Sequence, residues 1–214
     1  MITGKGGVGV RVAQLILGLV LCAVGIVMTL QSGLGVSPWD VLHGGLAERL
    51  DLSFGLVVQG VGLAVLVLGM VFGRVRPGFG TIANLILIGA VEDVLLATGW
   101  LDGLDGDALA LRVAVLCLGT VVIGLGAALY IGAHLGAGPR DSVMVALHLR
   151  GRMSVGVART IVEAVALGGG LLLGGPFGVG TVLYTITIGP AVQVWFRVLR
   201  MTPAKLPETT SEPI

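Results

Sequence analysis

Two related stretches of the sequence decide the fold: GLGVSPWD at residues 33–40 and HLGAGPRD at residues 134–141. They share a leucine, a glycine, a proline and an aspartate at a constant offset of 101 residues. Matches at this offset begin at the RVA triplet of residues 11–13, and the offset falls by one where GFGT at 78–81 meets GVGT at 178–181. Because the matches extend over most of the chain, they predict an internal duplication.

The composition argues against a water-soluble protein. Hydrophobic residues make up 55% of the chain and charged residues only 12%, with a mean hydropathy of +1.02, whereas soluble domains carry roughly 25% charged residues. Apolar runs of about 20 residues recur, and each is long enough to cross ~30 Å of hydrocarbon as a helix. The runs are continuous and do not alternate in polarity as the strands of a membrane barrel do. The sequence therefore predicts an all-α membrane protein.

Six of these runs are predicted transmembrane helices, three in each copy of the repeat. The first copy, residues 1–101, has spans at about 12–32, 53–73 and 78–97, and the second, residues 102–201, has spans at about 113–133, 154–174 and 178–196. Residues 202–214 carry acidic, serine and threonine side chains, and we expect them to form a disordered cytoplasmic tail.

The lysine and arginine residues predict the orientation, since positively charged short loops are retained in the cytoplasm. Most of them fall on the side of the N-terminus, so we expect both termini to be cytoplasmic. Because each copy has three spans, the second copy enters the membrane upside down relative to the first. Inverted repeats of this kind recur in secondary transporters, which bind substrate at the interface between the halves.

Each copy is predicted to carry a short helix after its first span, at residues 38–50 and 139–150. In the first copy, Ser37 is a predicted N-cap, Pro38 suits the first helical position, and Asp40 is placed to close a capping box. Both helices are too short to span, so each either re-enters the membrane or lies on its surface. If they re-enter, their N-termini meet a substrate, which makes candidate binding residues of Ser37, Pro38, Trp39, Asp40, Pro139, Arg140 and Asp141.

Two charged residues fall inside the predicted fifth span. Arg159 and Glu163 stand four residues apart on one helical face, so they can form an ion pair. The first copy has Val58 and Gly62 at the equivalent positions, and the scaffold therefore does not require either charge. Two interpretations stay open: Glu163 serves a substrate, a proton or a cation, or the pair only locks the packing of the helices.

The remaining polar residues give weaker predictions. Asn84 and Tyr184 lie within spans and are secondary binding candidates, although such groups commonly hydrogen-bond neighbouring helices. Three histidines, His43, His134 and His148, lie near span ends without metal-ligand spacing, and we expect them to be solvated. Glu92 and Asp93 are interpreted as the solvated end of the third span. We expect no metal site and no cofactor.

The motif GLGVSPWDV at 33–41, together with RPGFGT at 76–81, resembles the YczE/YitT-like family of bacterial integral membrane proteins. The resemblance covers nearly the whole chain, to about residue 200, and the second copy departs from the motif in having Arg140 where the first has Trp39. It implies a multi-pass protein of the bacterial cytoplasmic (inner) membrane, and it implies no substrate and no catalytic residue.

Two classes of function remain after these observations. The first is a small-molecule or ion transporter with its site between the inverted repeats. The second is a membrane partner or regulator, including the substrate-binding subunit of a larger transport complex. We expect no enzyme, since the spans hold no nucleophile and base with useful spacing. The lipid bilayer is the predicted partner, a homo-oligomer or a membrane partner stays open, and a net charge of +1 with scattered basic residues argues against nucleic acid.

Overall fold

The computed structural model describes residues 7–73, 77–136, 138–140, 143, 147 and 155–201, and these residues form helices and connecting turns without a strand. We number seven α-helices in chain order: α1 (Val8–Gln31), α2 (Pro38–Leu50), α3 (Phe54–Gly73), α4 (Phe79–Ala97), α5 (Leu109–Gly132), α6 (Val155–Leu173) and α7 (Val179–Val198). A short 3-10 helix, Leu104–Gly106, lies between α4 and α5. Pro139, Arg140, Val143 and Leu147 are also helical.

Five of these helices are long and apolar enough to cross a membrane, within the part of the chain that the structure describes. They are α1, α3 over Phe54–Val71, α4, α5 and α7. Their outer surfaces are apolar: Val179 and Ile186 of α7, for example, are 83% and 67% exposed. Such surfaces suit lipid rather than water, so the chain is a multi-pass membrane protein.

The helices agree with the six predicted spans to within four residues at each end. The predicted fifth span corresponds to α6, whose 19 residues give a helix of about 28 Å at ~1.5 Å per residue. It is not among the five helices above, and the count of six spans stays a prediction. The predicted tail, 202–214, lies outside the described residues.

Helices α1 and α5 form an antiparallel pair at the centre of the molecule. Gly18 lies against Gly126 and Gly25 against Gly119, so close that a Cβ atom at Gly18 would stand 2.7 Å from the carbonyl oxygen of Gly126. A Cβ atom at Gly25 would stand 2.6 Å from the carbonyl oxygen of Gly119. Small residues allow such approach where no hydrophobic effect drives helices together in lipid.

Arginines at the ends of the central pair satisfy the last carbonyl groups of the facing helix. Arg11 of α1 donates to the carbonyl of Ala133 at 2.8 Å, and Arg112 of α5 donates to the carbonyl of Ser32 at 2.8 Å. Each arginine also bonds the next carbonyl along the chain. Ser32 and Ala133 end α1 and α5, where carbonyl groups lack intrahelical partners. The same contact is thus made twice, with the two halves exchanged.

The GFGT and GVGT motifs start α4 and α7 and dock onto the other half. The amide of Gly80 donates to the carbonyl of Leu135 at 2.8 Å, and the amide of Gly180 donates to the carbonyl of Leu34 at 2.7 Å. A Cβ atom at Gly78 would stand 2.7 Å from the Leu135 oxygen. The motifs therefore require glycine because another backbone lies against them.

The remaining helices surround the central pair unequally. Helix α4 packs on α1 and α3, α7 packs on α5, and α2 crosses to the other half to pack on α6. Within the described residues α3 runs along α4, whereas α6 has hardly any contact with α7. The space left on that side borders the cavity described next.

Candidate functional site

A cavity of about 430 Å³ lies between the two halves of the molecule and is lined by all seven helices and by residues 138–140. Ten of the eleven predicted binding residues line it. Those ten are Ser37, Pro38, Trp39, Asp40, Asn84, Pro139, Arg140, Arg159, Glu163 and Tyr184. The eleventh, Asp141, lies outside the described residues. The structure thus brings the candidates together, and their binding of a substrate stays a prediction.

The cavity extends toward one end of the helical bundle. Its lining residues on α7 run from Tyr184 to Phe196, close to the end of that helix, and on α5 they reach Ile131. Arg159 and Glu163 line it from the first half of α6. The cavity therefore reaches the end of the bundle at which α5 and α7 finish and α6 begins.

The first turn of α2 forms a buried hydrogen-bonded cluster on the cavity wall. Ser37 is the N-cap, as predicted, and its hydroxyl oxygen accepts from the amide of Asp40 at 3.2 Å. The same hydroxyl donates to the Asp40 carboxylate at 2.5 Å, and Nδ1 of His43 lies 3.1 Å from the other carboxylate oxygen. The expectation of a solvated His43 is wrong, because the side chain is buried between Asp40 and the edge of Phe54.

The second half of the molecule contributes Arg140 to this cluster. Its guanidinium lies 3.8 Å from the carboxylate of Asp40 and 4.9 Å from the centre of the Trp39 ring, within the range of a cation–π contact. Arg140 occupies the position in the repeat that corresponds to Trp39. Equivalent residues of the two copies therefore touch each other inside the cavity.

The charge states of this cluster follow from its contacts, and α2 is not one of the five spanning helices. Burial acts to raise the pKa of the Asp40 carboxyl, but the hydrogen bond from His43 and the positive charge of Arg140 outweigh burial, and the pKa is lowered. Burial lowers the pKa of His43 by more than its bond to Asp40 raises it. The cluster therefore holds an ionised aspartate beside a neutral histidine at neutral pH.

The predicted ion pair on α6 is confirmed. Nε of Arg159 lies 2.9 Å from a carboxylate oxygen of Glu163, and the two side chains are 59% and 30% exposed. Both line the cavity, so the pair is available to a molecule that enters it. Asn84 and Tyr184, which occupy equivalent positions in α4 and α7, line the same cavity.

The interpretation of Glu92 as part of a solvated helix end is wrong, whereas Asp93 is half-buried. The side chain of Glu92 is fully buried, and neither carboxylate oxygen has a hydrogen-bond partner among the described residues. Asp93 accepts from the hydroxyl of Ser53 at 2.6 Å and from the amide of Gly55 at 2.7 Å. The Asp93 carboxylate thus accepts two hydrogen bonds at the N-terminus of α3. A signal for Glu92 was its spacing of four residues from Ile88, which places both on one helical face.

No group of three or more histidine, cysteine, aspartate and glutamate side chains lies close enough to hold a metal ion in the described part of the chain.

Comparison with known proteins gives a family and no activity. Residues 9–197 match the family described as "Family of unknown function (DUF6198)". The chain is 33% identical over 195 residues to an uncharacterized protein of Haemophilus influenzae, a match that covers 90% of this chain and 86% of the relative. It is 33% identical over 177 residues to the uncharacterized membrane protein YczE of Bacillus subtilis, covering 80% of this chain and 79% of that protein.

A third relative, the uncharacterized protein YyaS of Bacillus subtilis, is 28% identical over 180 residues, which are 81% of this chain and 85% of YyaS. No solved structure matches the chain. The family match spans nearly the whole chain, and the relatives are covered over most of their lengths. The chain therefore belongs to the family of unknown function DUF6198, whose YczE-like character the two sequence motifs predicted.

Proposed function

We propose that this protein is a transporter of a small polar molecule or ion, with its binding site in the cavity between the two halves. The observation that carries the proposal is the meeting of Trp39 and Asp40 of one half with Arg140 of the other inside that cavity. A carrier needs a site that both halves share, since movement of one half against the other then exposes the site to either side.

The proposed architecture is a pair of inverted repeats with six spans and two re-entrant helices. Its support is a set of contacts that occur twice with the halves exchanged. The close approach of Gly18 to Gly126 is matched by that of Gly25 to Gly119. The hydrogen bond from Arg11 to Ala133 is likewise matched by the one from Arg112 to Ser32. A two-fold axis produces this reciprocity. The burial of Asp40 and His43 against other helices favours re-entry of α2 over a position on the membrane surface.

The proposed location is the bacterial cytoplasmic membrane, with both termini in the cytoplasm. This orientation follows from the distribution of lysine and arginine. In it, the end of the bundle at which α5 and α7 finish is the cytoplasmic end. The cavity then opens inward, as it does in the inward-facing state of an alternating-access carrier.

The cavity suits a small charged metabolite or ion. Its volume, about 430 Å³, falls within the range of roughly 300–1,000 Å³ that small-molecule sites occupy. Its wall carries charges of both signs, namely Asp40 with Arg140 and Glu163 with Arg159. Arg140 and Arg159 are partly exposed, so an entering ligand can contact each pair.

We propose a carrier rather than an enzyme, although Ser37, Asp40 and His43 lie together. In a hydrolytic triad the histidine lies between serine and aspartate and takes the serine proton. Here Asp40 lies between the other two, bonded to Ser37 on one oxygen and to His43 on the other. This order supports a structural and electrostatic role for the three residues.

A thermal-shift screen of the purified full chain against metabolites and ions tests the proposal. A ligand at about 100 times its Kd adds about 2.7 kcal/mol to the free energy of unfolding. We expect at least one compound to raise the melting temperature of the wild type, and Arg140→Gln and Glu163→Gln to lose that response. Glu48→Gln, which removes an exposed carboxylate that does not line the cavity, is the matched control and should keep it.

Two results would contradict the transport proposal. A ligand response that survives in both cavity variants places the site elsewhere. The second result is that no compound raises the melting temperature of the wild type and that the protein purifies with a stoichiometric membrane protein. This result favours the alternative function as a partner, a regulator or a binding subunit of a larger transport complex.

A further inference from the structure

Glu92 is a carboxyl group that the proposed binding site does not use. Both of its oxygens are sealed from solvent, and they lack a hydrogen-bond partner among the residues that the structure describes. One turn away on either side, Ile88 and Leu96 pack against a buried apolar cluster that contains Ile26 and Phe54. An ionised carboxylate without partners is strongly disfavoured in such surroundings, so Glu92 holds a proton in this arrangement.

Glu92 nevertheless lies close to the charged cluster of the cavity. Ile88, one turn before Glu92 on the same face of α4, lines the cavity. Phe54, which belongs to the apolar cluster around Glu92, contacts the ring of His43 edge-on, with ring centres 6.1 Å apart. One aromatic side chain therefore stands between the apolar face that carries Glu92 and the hydrogen-bonded wall of the cavity.

We propose that Glu92 is the proton-binding site that couples transport to the proton gradient; this inference rests on the transport function proposed above. In the loading step a proton from bulk water forms an O–H bond with one carboxylate oxygen of Glu92, which gives the neutral carboxylic acid. In the release step that O–H bond breaks, and the proton returns to water on the other side of the membrane.

The ionisable groups that surround Glu92 come from several elements. On α4 the neighbour is Asp93, α1 carries Arg11 and Cys22, and α3 has no ionisable residue. The others belong to the cavity wall and are Asp40, His43 and Arg140. Because Asp40 and Arg140 neutralise each other there, a ligand that separates them changes the field at Glu92. Ligand binding and proton binding are then linked.

The repeat shows that the fold does not require a carboxyl group at this position. The residue of the second copy equivalent to Glu92 is Val192, in a helix of similar length on the same scaffold. We therefore expect Glu92→Gln, which keeps the shape of the side chain and removes its titration, to fold normally.

Infrared spectroscopy of the full chain in an ester-free detergent tests the proposal. A protonated carboxylic acid has a C=O stretching band apart from those of carboxylates and amides, and exchange of its proton for deuterium shifts that band. We expect the wild type to show the band and Glu92→Gln to lose it, while Glu163→Gln keeps it as the matched control. We also expect D₂O to shift the band, since a site that loads and releases protons must reach water.

Each other outcome overturns the inference. If the wild type lacks the band, or Glu92→Gln retains it, Glu92 does not hold a proton. A band that does not shift in D₂O marks a permanently sealed proton with a packing role only. The thermal-shift screen above tests the transport function separately. If the band exchanges but no ligand binds the cavity, Glu92 binds a proton but does not couple it to transport. If a ligand binds but the band is absent, the transport function stands and Glu92 does not couple it to protons.

Discussion

The two halves of the molecule share the predicted sequence repeat, but within the described residues they are closed to different degrees. In the first half α3 and α4 touch backbone to backbone, with Gly55 lying directly on the carbonyl of Gly89. In the second half the equivalent Gly189 of α7 lines the cavity, and among the described residues no atom lies within 4 Å of the position where its Cβ atom would stand. The same scaffold is thus locked on one side and open to the cavity on the other.

The positions of the charged residues also differ between the two halves. In the first half α4 carries two carboxyl groups, and one of them, Asp93, accepts hydrogen bonds from Ser53 and Gly55 at the start of α3. In the second half α7 has Gln193 at that position, which is exposed and lines the cavity, and α6 carries the carboxyl group of Glu163. The comparison teaches that two copies with matching helices differ both in how closely those helices pack and in which helix carries the carboxyl groups.

The largest expected effect comes from adding a methyl group at the two equivalent glycines. Gly89→Ala forces a Cβ atom into the backbone of Gly55, and overpacking of this kind costs about 1–3 kcal/mol. Gly189→Ala meets no atom of the described residues within 4 Å, and since alanine favours a helix over glycine it should not lower stability. Thermal unfolding of the purified variants measures both, and equal losses would contradict the idea that one half is closed and the other open.

A smaller loss of stability is expected from removal of the Asp93 carboxylate at the N-terminus of α3. Asp93→Ala removes the acceptor for Ser53 and Gly55, and the loss of such a cap typically costs about 1 kcal/mol. Gln193→Ala changes the equivalent exposed residue and is the control. The melting temperatures should separate the two variants, and a matching fall in Gln193→Ala would show that both halves need a polar group there.

The smallest effect on stability is expected at the ion pair of α6. Arg159 and Glu163 are partly exposed to the cavity, and exposed pairs at this spacing contribute about 0.3–0.5 kcal/mol. Glu163→Gln should therefore unfold at nearly the wild-type temperature while losing the ligand response. A large fall in its melting temperature would instead support the interpretation that the pair only locks helix packing.

Much of the candidate site was predictable because the repeat marks it. The two copies of the Gly-x-x-Pro-x-Asp pattern identified Asp40 and Arg140, and a charge present in one copy alone identified Glu163. Glu92 and His43 were missed for one reason. Their position near the end of a predicted span suggests solvent, whereas packing between helices in the folded protein buries both side chains.

The sequence by itself determined that the chain is helical and lies in a membrane, located the long helices to within four residues at each end, and predicted that one unit occurs twice. These properties follow from local composition, from capping residues and from the repeat offset, all of which lie along the chain. Only the tertiary structure decided that Trp39 meets Arg140, that Glu92 is buried and that α6 stands away from α7. Those outcomes depend on how closely helices distant in sequence approach, which the local pattern does not encode.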